Sequence, residues 1–110
     1  MIVLTSRVHP GESLASYKLK GFMEYLTGDT AEAGFLLDNF VFIIVPMLNP
    51  DGVCIGNYRT SLSGNDLNRV WEKTDRFTHP EIYYTKKLMH QIKRKNTIYL
   101  YCDFHGHSIK

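Results

Sequence analysis

Apolar residues recur along this chain in two rhythms. From Ser13 to Leu26 they fall at Leu14, Ala15, Tyr17, Leu19, Phe22, Met23 and Leu26, so that pairs three and four apart recur. That spacing predicts an amphipathic helix, closed by Thr27-Gly28-Asp29, where Gly28 suits the position just past a helix end. A second helix is predicted over Pro80–Arg94, with Ile82, Tyr83, Lys86, Leu88, Met89 and Ile92 forming its apolar face. A shorter, weaker one covers Ala31–Leu37. Unbroken apolar runs make the other rhythm. Phe40–Val45 reads as a strand buried on both faces and stopped by Pro46. Ile2–Leu4 and Thr97–Cys102 are the remaining strand candidates, the first too short for its pattern alone to separate strand from helix.

The resulting order, strand, helix, strand, helix, strand, predicts an α/β fold, with a parallel or mixed sheet flanked by helices and joined by right-handed crossovers. Asn49-Pro50-Asp51-Gly52 has the residues of a turn. Val53–Trp71 lacks clear periodicity and reads as a long ordered loop, a feature uncommon unless functional. In parallel sheets, ligands gather at the carboxyl ends of strands. His9, Asn49–Gly52 and His105 all fall just past such ends, which makes that edge the expected site.

Composition narrows the class. Of the 110 residues, 44% are hydrophobic and 13% aromatic, enough for a globular core and against disorder. The net charge of +2 is spread thinly, and its densest cluster, Lys93-Arg94-Lys95, suits a helix C-terminus, so nucleic-acid binding is not expected. No run reaches membrane-spanning length. Cys54 and Cys102 match no zinc-ribbon spacing and read as core thiols in a reducing, cytosolic setting. Met1 opens directly on a core strand and Lys110 follows His105 closely, as in a shortened chain or a fragment.

The chemistry concentrates in three places. His9 and Glu12, three apart in a strand-to-helix turn, can aim at one point, and His105 supplies a third ligand from the other end of the chain. Two imidazoles and one carboxylate form a hydrolytic zinc site with room for water. His107 competes with His105 and is read as a neighbour rather than a ligand. In Asp66-Leu67-Asn68-Arg69, Asn68 and Arg69 could grip a terminal carboxylate. Asp66 could orient a zinc-bound imidazole, although the same residues also suit a capped helix start with a solvated arginine. Arg59 could stabilise an oxyanion beside the metal. Trp71, Tyr83 and Tyr84 read as packing.

These stretches resemble the zinc carboxypeptidases, and within them the cytosolic carboxypeptidase subfamily that trims glutamates from tubulin. The matching segments are Arg7–Glu12, Val45–Val53, Gly56–Arg59, Asp66–Arg69 and Tyr101–Ser108, in family order over nearly the whole chain. The resemblance implies a partial zinc-carboxypeptidase (phosphorylase/hydrolase-like) fold, in which these three strands are adjacent central members of a mixed eight-stranded sheet. It implies one Zn2+ on His9, Glu12 and His105, with Arg59 at the scissile carbonyl, Asn68 and Arg69 on the substrate's terminal carboxylate, and Asp66 orienting His9. The expected substrates are the C-terminal tails of proteins or peptides, including tubulin. The family's general-base glutamate and its substrate-capping tyrosine lie farther downstream, with no counterpart in these 110 residues. The expectation is therefore little or no activity for this chain alone. The alternative is a non-catalytic fragment that binds zinc or C-termini. An amidohydrolase-type site built on His105 and His107 would leave His9 and Glu12 unexplained.

Overall fold

A computed structural model describes residues 1–106 of the chain. Its elements are β1 (Ile2–Ser6), α1 (Ser13–Leu26), α2 (Ala31–Asn39), β2 (Phe42–Val45), α3 (Pro50–Ile55), α4 (Pro80–Lys93) and β3 (Leu100–Phe104), with a 3₁₀ turn at Leu67–Arg69. The three strands form one parallel sheet in the order β2-β1-β3. The α/β expectation holds, and the short first strand lies at the centre of the sheet.

Register explains the two cores. Ile2 and Leu4 face one side together with Phe42, Ile44, Cys102 and Phe104, and there they meet Leu19 and Phe22 of α1. Val3 and Thr5 alternate to the opposite side, both fully buried. A second cluster of Val8, Leu48, Leu67 and Ile82 lies below the site loops, with Val45, Val70 and Trp71 against it. All four of its members are almost fully buried. Trp71 also meets Tyr101 edge-on.

Several boundaries differ from the sequence expectation. Asn49–Gly52 opens a helix rather than a free turn. The Asn49 side chain accepts from the Gly52 N–H at 3.0 Å and Pro50 takes the first helical position, so the same residue types serve as cap and N1. The helix ends at Gly56, whose φ of 82° is the left-handed conformation glycine permits. The long loop is thus shorter than expected, and it contains the 3₁₀ turn. β2 begins at Phe42 rather than Phe40. β3 runs over Leu100–Phe104 rather than Thr97–Cys102, because Tyr99 only begins the approach, its N–H donating to the Met1 carbonyl, while polar Asp103 pairs in register with Thr5. Cys102 is partly buried against the core, but Cys54 is exposed on α3 and is not a core thiol. Tyr84 is also largely exposed, its ring meeting Tyr83 edge-on.

α2 starts on a cap that local chemistry predicts. The Thr30 hydroxyl accepts from the Ala33 N–H at 3.1 Å. Thr30→Ala is expected to cost about 1 kcal/mol, read as a lower urea midpoint in the fluorescence of Trp71, the chain's single tryptophan. An unchanged midpoint would show that α2 is held by packing alone.

Candidate metal centre

Because all three strands are parallel, their carboxyl ends share one edge, and the loops leaving that edge carry the site. β1 ends at Ser6 and the chain turns sharply at Arg7, whose φ of 56° is left-handed for a non-glycine residue. Its side chain ties the turn closed: Nε donates to the Pro10 carbonyl at 2.7 Å and Nη1 to Ser16 Oγ at 2.8 Å. The Gly11 N–H donates to the Tyr58 carbonyl at 2.7 Å, and a Cβ on Gly11 would lie 2.8 Å from that oxygen. This close approach brings the Arg59 loop against the His9 loop. Neither Arg7 nor Gly11 stands out in the sequence beyond its place in the segment Arg7–Glu12. A positive φ at an arginine leaves no compositional mark.

The turn presents His9 and Glu12, and β3 delivers His105 just past its end. One donor atom from each of the three lies within 4.8 Å of the others. His9 Nδ1 faces Glu12 Oε1 at 2.9 Å and His105 Nδ1 faces Glu12 Oε2 at 3.2 Å. The Gly106 N–H also donates to Glu12 Oε2, at 2.8 Å. The two imidazoles are 5.2 Å apart between centroids.

The outer nitrogens are held too. His9 Nε2 meets Asp66 Oδ1 at 3.1 Å, and His105 Nε2 meets Asp103 Oδ2 at 2.7 Å. Each imidazole thus lies between two carboxylates, which only accept hydrogen bonds. A neutral ring has one N–H and cannot satisfy both. A divalent cation facing the two Nδ1 atoms and Glu12 removes the conflict, leaving each Nε2–H for its outer carboxylate. That arrangement of donors fits a zinc ion.

Electrostatics agree with a charged centre. Burial pushes the Glu12 carboxyl up, but the Gly106 N–H and the two histidines together outweigh it and hold it below the usual carboxylate range. Burial likewise pushes Asp66 up, and the Asn68 N–H, His9 and Arg59 more than offset it. Both are therefore carboxylates at neutral pH.

Asp66 plays two parts that the sequence presented as alternatives. It caps the 3₁₀ turn, accepting from the Asn68 N–H at 2.9 Å, and the same oxygen meets His9. Its other oxygen accepts from Arg59 Nε at 2.8 Å. Arg59 therefore stands beside the centre, nearly half exposed. Asn68 and Arg69 follow Asp66 directly. Asn68 is half-buried, and the Arg69 side chain is exposed, its Nη1 making a long 3.4 Å contact with the Asn68 carbonyl. Neither contacts the histidines among the described residues. His107 lies outside the described residues.

A family model described as zinc carboxypeptidase matches residues 1–109. The chain belongs to the zinc carboxypeptidase family. It is 49% identical over 109 residues to cytosolic carboxypeptidase 3 of Mus musculus, covering 99% of this chain and 11% of that protein. It is 54% identical over 110 residues to cytosolic carboxypeptidase 1 of Xenopus laevis, covering 99% of this chain and 9% of that relative. This chain thus spans about a tenth of the length of these relatives. Among solved structures, a metallo-carboxypeptidase from Pseudomonas aeruginosa in complex with (2-guanidinoethylmercapto)succinic acid superposes with a TM-score of 0.85 and 33% identity, over 96% of this chain and 28% of that one. A metallo-carboxypeptidase from Burkholderia cenocepacia gives a TM-score of 0.80 at the same identity and coverage. Among the described residues no helix is long and apolar enough to cross a membrane.

Proposed function

We propose that residues 1–110 are a single, partial catalytic domain of a zinc metallocarboxypeptidase, carrying the metal-binding and carboxylate-anchoring portion of its active site. The observation that carries this reading is the convergence of His9 Nδ1 and His105 Nδ1 on Glu12. Bound zinc would supply Lewis-acid polarisation of the scissile carbonyl and a water of lowered pKa. His9, Glu12 and His105 hold the ion, one per chain. Asp66 keeps the His9 proton on Nε2. Arg59, anchored through Nε, offers its terminal N–H groups to the charge that develops on the carbonyl oxygen. Asn68 and Arg69 bind the terminal carboxylate of the substrate, Arg69 through its guanidinium fork.

The substrates proposed are protein or peptide C-terminal tails, with glutamate-ended acidic tails such as those of tubulin foremost. The cytosolic names of the relatives and the resemblance of the motifs support this choice, and they support a cytoplasmic setting. One observation favours a second reading, binding without turnover. Glu12, Asp66 and Asp103, the carboxylates that meet the two imidazoles, are all engaged there, which leaves none of the three free as a general base. Loss of such a base typically costs a factor on the order of 10²–10⁴.

The test uses the zinc-loaded chain and a peptide ending in several glutamates. The expected result is binding that requires a free C-terminal carboxylate, weakens at least about tenfold in Arg69→Ala, and gives slow or no release of glutamate. Measurable release supports the enzyme reading for the chain itself. Binding without release supports the second. Equal binding of the C-terminally amidated peptide would overturn the assignment of Asn68 and Arg69.

A further inference from the structure

Behind the contact of Asp103 with His105 lies a polar chain, through Thr5 to Tyr101, that the site assignments leave unused. The residues of β3 alternate, so Tyr101 and Asp103 share the sheet face opposite α1. Across the ladder, Thr5 pairs with Asp103, and Val3 with Tyr101. Thr5 is fully buried and sits between the two polar groups. Its Oγ1 donates to Asp103 Oδ1 at 2.7 Å and lies 2.9 Å from the Tyr101 hydroxyl.

Hydrogen counting fixes the direction of the chain. A carboxylate only accepts, so the single Thr5 proton goes to Asp103. The Tyr101 hydroxyl must then donate to Thr5. With Oδ1 of Asp103 thus occupied, Oδ2 faces His105 Nε2 at 2.7 Å. Nothing else polar on this face of β3 competes for that oxygen among the described residues. The order is Tyr101 O–H to Thr5, Thr5 O–H to Asp103, and His105 Nε2–H to Asp103.

We propose that Asp103, braced by Thr5 and Tyr101, is a positioning residue that holds His105 with its proton on Nε2 and its Nδ1 lone pair aimed at the metal. This inference rests on the reading of His9, Glu12 and His105 as a zinc site. It makes the site two-sided: Asp66 braces His9 from the 3₁₀ turn, and Asp103 braces His105 from the sheet. The need is greater at His105. Its ring is one-third exposed, whereas that of His9 is almost fully buried, so packing alone fixes His105 less. Partners of this kind typically change metal affinity by 10- to 100-fold.

The experiment is zinc competition against a chromophoric chelator, with wild type, His105→Ala, Asp103→Ala, Thr5→Val and Tyr101→Phe. Thr5→Val keeps the buried shape and removes only the hydroxyl. Imidazole 1H–15N spectra of the zinc-free chains, where both ring nitrogens can carry the proton, report which nitrogen of His105 holds it. We expect a 10- to 100-fold weaker affinity in Asp103→Ala, a smaller loss in Thr5→Val and the smallest in Tyr101→Phe. The His105 proton is expected wholly on Nε2 in wild type and divided between the nitrogens in Asp103→Ala. If wild type binds zinc, His105→Ala abolishes it, and both Asp103→Ala and Thr5→Val leave affinity and proton position unchanged, this inference is wrong while the metal site stands. If wild type binds no zinc, or His105→Ala binds as well as wild type, the metal-site reading itself is wrong and this inference falls with it.

Discussion

Replacement of His9 by alanine is expected to remove stoichiometric zinc binding. The ring contributes one of three donors converging within 4.8 Å. If the ligands share a binding free energy of roughly 10 kcal/mol or more, each carries about 3 kcal/mol, a loss of at least about a hundredfold. His9 is also buried, 4% exposed, so alanine leaves a void and strips Asp66 and Glu12 of their shared partner. A fall in zinc affinity from this variant alone would not separate the metal from the fold. His105→Ala makes the separation, since its ring is 33% exposed and its loss leaves less of a cavity. Both variants should lose zinc by equilibrium dialysis with metal analysis, while circular dichroism of His105→Ala stays close to wild type. Retention of one zinc per chain by His105→Ala would refute the proposal that the two ends of the chain share one ion.

The largest stability effect is expected at Gly52. A Cβ there would lie 2.5 Å from Pro10 Cγ, 2.6 Å from Asn49 Oδ1 and 2.8 Å from the Thr60 carbonyl oxygen. Two of these neighbours cannot swing aside. Pro10 is a ring within the turn that carries His9 and Glu12, and Asn49 is fully buried, capping α3 while its Nδ2 donates to the Val8 carbonyl at 3.2 Å. Overpacking of this kind costs about 1–3 kcal/mol, at times more, and here it falls where β1, α3 and the Arg59 loop meet. Gly52→Ala should lower stability by about 3 kcal/mol, a large share of the roughly 5–15 kcal/mol of a typical domain, in urea unfolding followed by Trp71 fluorescence. Because Pro10 adjoins His9, the same variant should also weaken zinc binding. An unchanged midpoint would mean that the Pro10 turn yields easily, contrary to the Arg7 and Gly11 bonds that hold it.

The sequence was most legible where chemistry and periodicity coincide. The helix over Ser13–Leu26 is found with its predicted bounds, because its apolar face is regular; its end is capped at Thr27, and Gly28 does not take up the left-handed conformation expected of it. The parallel sheet follows from the alternation of strands and helices. The three donors were nameable because histidine and glutamate at strand ends are few. What stayed hidden depended on partners distant in sequence. Asp103 reads as the end of an apolar run, yet it lies inside β3 because Thr5, from the neighbouring strand, accommodates it. Asn49–Gly52 is ambiguous between turn and helix cap until Val8 and Pro10 are placed beside it. Cys54 looks like a core thiol beside Val53 and Ile55, but α3 is short and turns that side outward. Arg7 shows nothing in the sequence that would foretell a left-handed turn.

The central position of β1 also has a kinetic meaning. This strand comes first in the chain but cannot be completed until both neighbours exist, and its pairing with β3 spans separations as large as 98 residues, as between Thr5 and Asp103. Non-local pairings of this kind delay folding, because the entropy of closing the loop is lost before the contacts compensate for it. While β1 and β2 are paired without β3, the β3-facing side of β1 stays open and only His9 and Glu12 of the three candidate ligands are in place. Of the three candidate ligands His105 lies farthest along the chain, so the set is complete only once β3 has paired with β1, and a metal ion held there would lock that pairing rather than initiate it.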